Sequence, residues 1–426
     1  MQDGMHDAPQ PASHQAIAAV WRIESARIVA GVARLVRDIG LAEELAGDAL
    51  VAALEAWPAS GVPDNPGAWL MRTAKNAALD RLHRDKVLRE KLVQIGLDLE
   101  AQEAAIVPDF SDSLDDARSS IGDDLLRLMF IACHPILSKE ARLALTLKLI
   151  GGLSTHEIAR AFLVPEATIA QRIVRAKRSL GQAGVPFELP PPGELAERLG
   201  SVLEVVYLVF NEGYTATAGD DWMRPALIDE ALRLGRMLAS LAPLEPEAQG
   251  LMALMELQAS RAKARVDAGG RPVLLLDQDR ARWDALLIRR GLAALARAEA
   301  LGGRLGPYAL QAAIAACHAR AYTAADTDWA RIASLYGDLA RVLPSPVVEL
   351  NRAVAVGMAQ GPAAGLALVD ALAGDASLRD YQWLPSVRGD LLDKLGRREE
   401  ARAEFRRAAS MTTNARERAL LEERAR

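Results

Sequence analysis

The chain has 426 residues, too many for one ordinary domain, so two or three are expected. It is 50% hydrophobic, 25% charged and only 4% aromatic, with a net charge of −5; this excludes disorder and leans towards Ala-, Leu- and Arg-rich helices. Two cysteines, Cys133 and Cys317, exclude a disulfide framework or a four-cysteine zinc site, and no apolar run approaches the roughly 18–20 residues that cross a bilayer, so a soluble cytoplasmic protein is expected.

The helical period dominates and no alternating strand pattern appears, so the expected fold is all-α. Residues 1–20 read as a flexible N-terminal tail, polar and proline-containing over its first part. Residues 21–92 read as packed helices, with one over 24–37 and a second over 41–57. A turn rich in Pro, Gly, Asp and Asn follows at 58–66, and a third helix starts with Asn65 as cap and Pro66 in the first turn. Residues 93–120 form an acidic linker by composition. A second helical block spans 121–181, a Pro/Gly linker spans 182–193, and residues 194–426 are long enough for an independent helical domain.

Charge is unevenly spread. Between residues 69 and 91 lie Arg72, Lys75, Arg81, Arg84, Lys86, Arg89 and Lys91; between 138 and 181 lie Lys139, Arg142, Lys148, Arg160, Arg172, Arg175, Lys177 and Arg178. Two basic islands joined by an acidic bridge suit two separate phosphate contacts, and equally suit two solvated helix faces.

Within the second island, Ser154 and Glu157 have capping-box spacing, so a helix starts sharply at Ser154 and runs to about Phe162. Pro165 suits the first turn of a second helix, which completes a helix-turn-helix. On its wheel Ile169, Ile173, Ala176 and Leu180 share one side. Thr168, Gln171, Arg175 and Arg178 face the other way, with Arg172 on the flank. Arg can grip phosphate or a guanine edge, and Gln can pair with adenine. In the first island Leu70, Ala74 and Ala77 make the packing stripe, while Trp69, Arg72, Asn76, Asp80 and His83 cluster opposite. Asn can bond a base edge and an exposed ring can stack on an opened base, although a half-buried tryptophan that simply packs is the commoner case.

The C-terminal stretch carries Gly389, Leu392, Gly396, Ala401, Phe405 and Ala408 at the spacing of a tetratricopeptide helix pair, in which small residues let helices approach and the aromatic fills the gap. Gly361 precedes Gly396 by 35 residues, near the expected period. Two polar knots, 210–214 and 277–284, suit either a ligand or turn chemistry with buried ion pairs, and structure is the favoured reading. Enzyme motifs are lacking, Cys133-His134 reads as core or surface residues and Cys317-His318 as packing residues, and neither a cofactor nor a metal is expected.

Taken together, the two blocks resemble the extracytoplasmic-function class of bacterial RNA polymerase sigma factors. Trp69-Leu70, Arg72, Ala74, Asn76, Asp80 and Arg84 match that family's helix for the downstream promoter element. Residues 42–50 with Trp57 resemble its polymerase-binding helix, and residues 153–180 its upstream-element reader. The remainder resembles the subgroup with a large C-terminal domain related to tetratricopeptide repeats. The resemblance makes 21–92 region 2 and 121–181 region 4. It implies core RNA polymerase as partner, met at the β′ clamp helices and the β flap, and promoter DNA as the second partner, with no membrane. It places Arg72, Lys75, Asn76, Arg81 and Arg84 on the downstream element, Thr168, Gln171, Arg172 and Arg175 on the upstream element, and Glu44, Leu45 and Asp48 on the clamp. Gly47 stands where the family usually has Gln, and Asp48 stands for its Glu. The linker's acids could imitate nucleic acid inside the polymerase or merely solvate a tether. The C-terminal domain is expected to regulate in cis or to recruit a protein partner. The competing expectation is a one-component helix-turn-helix regulator with a helical sensor domain.

Overall fold

The computed structural model describes residues 12–94, 117–162, 164–191, 193–215, 223–267, 269, 271–412 and 414–426. Among these residues the chain forms eighteen α-helices and no strand; Val266 and Pro272 make an isolated antiparallel bridge. It divides into two compact units, Met1–Val205 and Val206–Arg426.

In the first unit, α1 (Ala12–Val36), α2 (Ile39–Ser60) and α3 (Pro66–Gln94) pack pairwise. Helix α1 begins inside the stretch expected to be a tail, because Ile17 is buried in the core. Asp38 caps α2 by accepting from the Leu41 N–H at 2.7 Å. The helix runs on through Pro58, beyond the expected stop at Trp57, and ends where Gly61 takes φ +82° and donates to the Trp57 carbonyl at 3.0 Å. A proline this near the end forfeits one backbone bond while the buried Trp57 anchors the turn. Asn65 caps α3 as expected, its Oδ1 accepting from the Ala68 N–H at 3.1 Å. The buried stripe of α3 is Leu70, Ala74 and Ala78; Ala77 is only half-buried, because the stripe steps by four residues twice.

Helices α4 (Ala117–Ala132), α5 (Lys139–Leu149), α6 (Thr155–Phe162) and α7 (Glu166–Gln182) form the second helical block. The expected acidic linker falls largely on residues 95–116, outside the described residues, so its imitation of nucleic acid stays an expectation. The division between units lies inside α8 (Leu195–Tyr214), past the Pro/Gly segment. The first half of α8 is tied back: Arg198 donates to the Phe130 carbonyl at 3.1 Å, and Glu204 meets Lys139 at 2.6 Å and Arg142 at 3.5 Å.

The second unit continues with α9 (Pro225–Leu241), α10 (Pro246–Ala259), α11 (Ala285–Ala300), α12 (Pro307–Arg320), α13 (Trp329–Val342), α14 (Pro346–Gln360), α15 (Pro362–Leu372), α16 (Trp383–Lys394), α17 (Arg398–Met411) and α18 (Ala415–Arg424). Packing is mostly between neighbours in sequence, as in a stack of hairpins. Gly361 (φ +106°) and Gly396 (φ +78°) turn the α14–α15 and α16–α17 hairpins, so the 35-residue spacing corresponds to equivalent turns. A Cβ on Gly389 would lie 2.8 Å from the Phe405 ring, so the aromatic occupies the space that glycine leaves.

Both polar knots are structural in this fold. Phe210 stacks on Tyr214 at 5.4 Å. Asp279 and Asp284 cap local turns and α11, Trp283 is buried, and Arg280 donates to the Ala321 carbonyl at 2.8 Å and to Thr327 Oγ1 at 3.1 Å. Nearby, burial and then the charges of Arg261 and Arg280 push the His318 pKa from 6.5 to about 4. The unfolded chain therefore binds a proton in this window that the folded chain refuses. The stability this gives is whole above pH 6.5 and drains away as pH falls towards 4. Thermal melts of the full chain should lose Tm across that window, and His318→Gln should flatten the loss; an equal slope in both proteins refutes the assignment.

Candidate nucleic-acid and polymerase interface

The helix-turn-helix is built as its sequence dictates. The Ser154 N–H donates to Glu157 Oε2 at 2.7 Å, and the Glu157 N–H donates to Ser154 Oγ at 3.1 Å, a reciprocal capping box. Burial pushes the Glu157 carboxyl up, but the bonds from Ser154 outweigh it and leave the pKa below the usual carboxylate range. Pro165 is the N-cap of α7 rather than its first residue. Ile169, Ile173, Ala176 and Leu180 are buried, as the wheel predicts.

The opposite face of α7 presents Gln171, Arg175 and Arg178 to solvent. Thr168 and Arg172 are half-buried on the flanks, so they are less open than Gln171 and Arg175. Val174 is 54% exposed in the middle of this stripe and was missed at the sequence level. Its signal was available: an apolar residue off the buried wheel, suited to a thymine methyl. Glu166 faces His156 at 3.4 Å, which turns its carboxylate towards α6.

On α3, Arg72, Asn76, Arg81 and Arg84 are exposed along one helix. Arg81 lies 3.5 Å from Asp85, and Arg84 Nε donates to the Asp80 carbonyl at 3.3 Å. Lys75 departs from this set. It is half-buried towards α1, its Cε 3.9 Å from a Cβ built on Gly31. Burial and then Arg34 lower its pKa against an opposing pull from Asp124. Its spacing of three from Arg72 places it on the flank that meets α1. Trp69 is half-buried and meets Trp57 edge-on, ring centroids 5.4 Å apart at 69°, so the packing reading of this tryptophan is the one observed.

On α2, Glu44 and Asp48 are exposed, but Leu45 is 7% exposed and belongs to the core. It shares the buried side with Ala42, Ala46, Ala49, Ala53 and Trp57, so it shapes the surface from beneath rather than forming it. The outward side adds Val51 and Leu54, both exposed, and Glu55. These were missed because a search for polar contacts passes over apolar residues. A Cβ on Gly47 meets nothing within 4 Å, so the longer side chain usual in the family would fit there. Cys133 is buried beside Thr146 Oγ1 at 3.3 Å, and burial holds its thiol up at about 11. No group of three metal-ligating side chains occurs among the described residues, nor any helix long and apolar enough to cross a membrane.

A capped helix-turn-helix with an outward Gln/Val/Arg stripe, in the same unit as a second cationic helix, defines a DNA-binding protein. Comparison with known families agrees and sharpens this. Residues 23–87 match sigma-70 region 2, residues 127–180 match sigma-70 region 4, and residues 198–299 match a family of unknown function, DUF6596. An uncharacterised protein of Rhizobium meliloti (strain 1021) is 46% identical over 391 residues, covering 91% of this chain and 90% of that protein. A probable ECF RNA polymerase sigma factor, SigI, of Mycobacterium tuberculosis is 26% identical over 178 residues, covering 42% of this chain and 59% of that protein. No solved structure matches the chain. The chain belongs to the ECF-type sigma factors and carries an extra C-terminal helical domain.

Proposed function

We propose that this sigma factor directs core RNA polymerase to specific promoters in the cytoplasm, with no catalytic activity of its own. In this reading α2 meets the β′ clamp helices through Glu44, Asp48 and the exposed Val51 and Leu54. The second domain meets the β flap. The α3 face takes the opened downstream element, with Asn76 near an unstacked base and Arg72, Arg81 and Arg84 on the backbone; Lys75 contributes only charge from its flank. The α7 face takes the upstream element through Gln171 and Arg175, with Thr168 and Arg172 at its edges. The observation that carries the reading is the presence in one chain of an acidic–apolar docking face on α2 and two separate cationic reading helices. A one-component regulator requires no polymerase-docking face.

The test is binding with and without core polymerase. Strong promoter binding only in the presence of core enzyme supports the sigma reading, whereas stable binding to closed duplex by the chain alone supports a one-component regulator. Arg175→Ala should weaken promoter recognition by about 1–3 kcal/mol if it contacts a base, and should relax specificity at that position. An unchanged promoter affinity removes Arg175 from the interface.

The second unit, a stack of helical hairpins of tetratricopeptide-like character, would regulate the sigma part in cis or recruit a protein partner. A chain ending after Val205 keeps α1–α7 and the tied half of α8. Altered transcript output or polymerase affinity in that chain supports regulation, and unchanged values for both discard it.

A further inference from the structure

The two polar knots of the second unit brace their turns, and between them lies a charged side chain that belongs to neither. Arg261, just past α10, lies over the Tyr214 ring at the end of α8 and over the Trp283 ring ahead of α11, 5.9 Å from each centroid. It shares each ring with another guanidinium. Arg265 sits 3.6 Å from the Tyr214 centroid, and Arg280 sits 4.7 Å from the Trp283 centroid. Arg265 is 8% exposed; it donates to the Tyr214 carbonyl and, at 3.1 Å, to Thr215 Oγ1. Arg280 is anchored by the carbonyls of His318 and Ala321 and by Thr327 Oγ1. Arg261 Nη2 donates to Gln258 Oε1 at 2.7 Å, on the helix it follows.

Three cations gathered on two rings repel one another. Burial and then Arg261 lower the Arg280 pKa, against a pull from Asp326. Burial lowers the Arg265 pKa, Tyr214 opposes the fall and Arg261 adds to it. Neither Arg261 nor Arg280 meets a carboxylate within ion-pair reach among the described residues. Other covered charges in the unit are paired: Glu256 takes Arg236 at 3.1 Å and Arg290 at 3.2 Å, and Arg388 lies 2.8 Å from both Asp370 and Glu404. In the same cluster Trp283 Nε1, Arg280 Nε and His318 Nδ1 are buried with no hydrogen-bond partner. Buried polar groups are normally satisfied and buried charges normally paired. The indole and guanidinium nitrogens are donors. What the cluster lacks is therefore negative charge and acceptor oxygens.

We propose that the Arg261–Arg265–Arg280 cluster is a binding site for a small oxyanion, a carboxylate or phosphate group carried by a metabolite-sized ligand. Stacking on Tyr214 and Trp283 sets the guanidinium planes before the ligand arrives, and their forked donors match either group. Arg265 and Trp283 are buried while Arg261 and Arg280 are half-buried, so the approach suits a small group rather than a broad macromolecular surface. The site lies wholly in the second unit and goes beyond the sigma reading, and its test needs no polymerase.

The test is titration calorimetry and thermal melting of the full chain, with inorganic phosphate and with citrate as probes at matched ionic strength. Saturable binding of at least one probe, with a rise in Tm, is the expected result. Binding of phosphate alone names a phosphate-bearing ligand, and binding of citrate alone a carboxylate-bearing one. Arg261→Gln should weaken that binding by roughly 10- to 100-fold, the usual worth of charge-assisted hydrogen bonds. Without probe the same variant should keep or raise Tm, because it relieves like-charge repulsion. Arg261→Lys keeps the charge but loses the fork; it should bind more weakly than wild type and more tightly than Arg261→Gln, and it carries the test if the glutamine variant fails to fold. The exposed Arg304→Gln is the control and should bind as wild type does. No saturable binding of either probe overturns the site. So does undiminished binding by Arg261→Gln with a lowered probe-free Tm, which would make Arg261 a bracing residue only.

Discussion

Trp57→Ala is expected to destabilise the first unit by about 3–5 kcal/mol, the usual cost of removing a fully buried large aromatic. Trp57 is 1% exposed, among the largest fully buried side chains, and sits where α2 ends and α3 begins. Its edge contact with Trp69 at 5.4 Å fixes how the two helices meet. Because Trp57 Nε1 makes no hydrogen bond, Trp57→Phe removes volume without breaking one and should cost much less. Chemical denaturation of the full chain, followed through its first transition, separates the cases. Equal losses for the two variants contradict the packing described here. The functional corollary is that Trp57→Ala disturbs the docking face of α2 and the Asn76 face of α3 together, because one side chain sets both.

Gly250→Ala should destabilise the second unit, against the propensity that usually rewards this change. Replacing glycine by alanine inside a helix gains about 1 kcal/mol. On α10, however, the new Cβ would lie 2.7 Å from the Ala309 nitrogen and 2.8 Å from its Cα. Those are backbone atoms of α12 and cannot swing aside, so the helices must separate, at about 1–3 kcal/mol or more for larger residues such as valine. Gly337→Ala on α13 is the control. Nothing lies within 4 Å of its Cβ, and the change should stabilise by about 0.5–1 kcal/mol. Opposite signs in thermal melts support the close α10–α12 contact. The same sign for both variants contradicts it.

What was legible in the sequence had local causes. The capping box at Ser154 and Glu157, the cap at Asn65 and the buried wheel of α7 are set by residues within a turn or two of one another, and the structure reproduces them. The Gly389–Phe405 fit was legible for the same reason, since one hairpin holds both residues. What was not legible depends on distant partners. Lys75 sits in a basic island, and only the approach of α1 shows that it is half-buried. Leu45 lies among polar residues expected at the polymerase, and only the packing of α2 turns it inward. Val51, Leu54 and Val174 carry no polar signal and become candidates only once their exposure is seen. The ion pair between Glu43 of α2 and Lys177 of α7 spans 134 positions and has no trace in local spacing. Helix α1 reaches back to Ala12 because Ile17 finds a buried site, which composition alone does not announce.

The most direct measurement is run-off transcription from genomic templates with purified core polymerase, with and without the purified chain. New transcripts of defined start, dependent on the chain and reduced by Arg175→Ala, are the predicted result. An unchanged transcript pattern, with no association between the chain and core enzyme, would contradict the account.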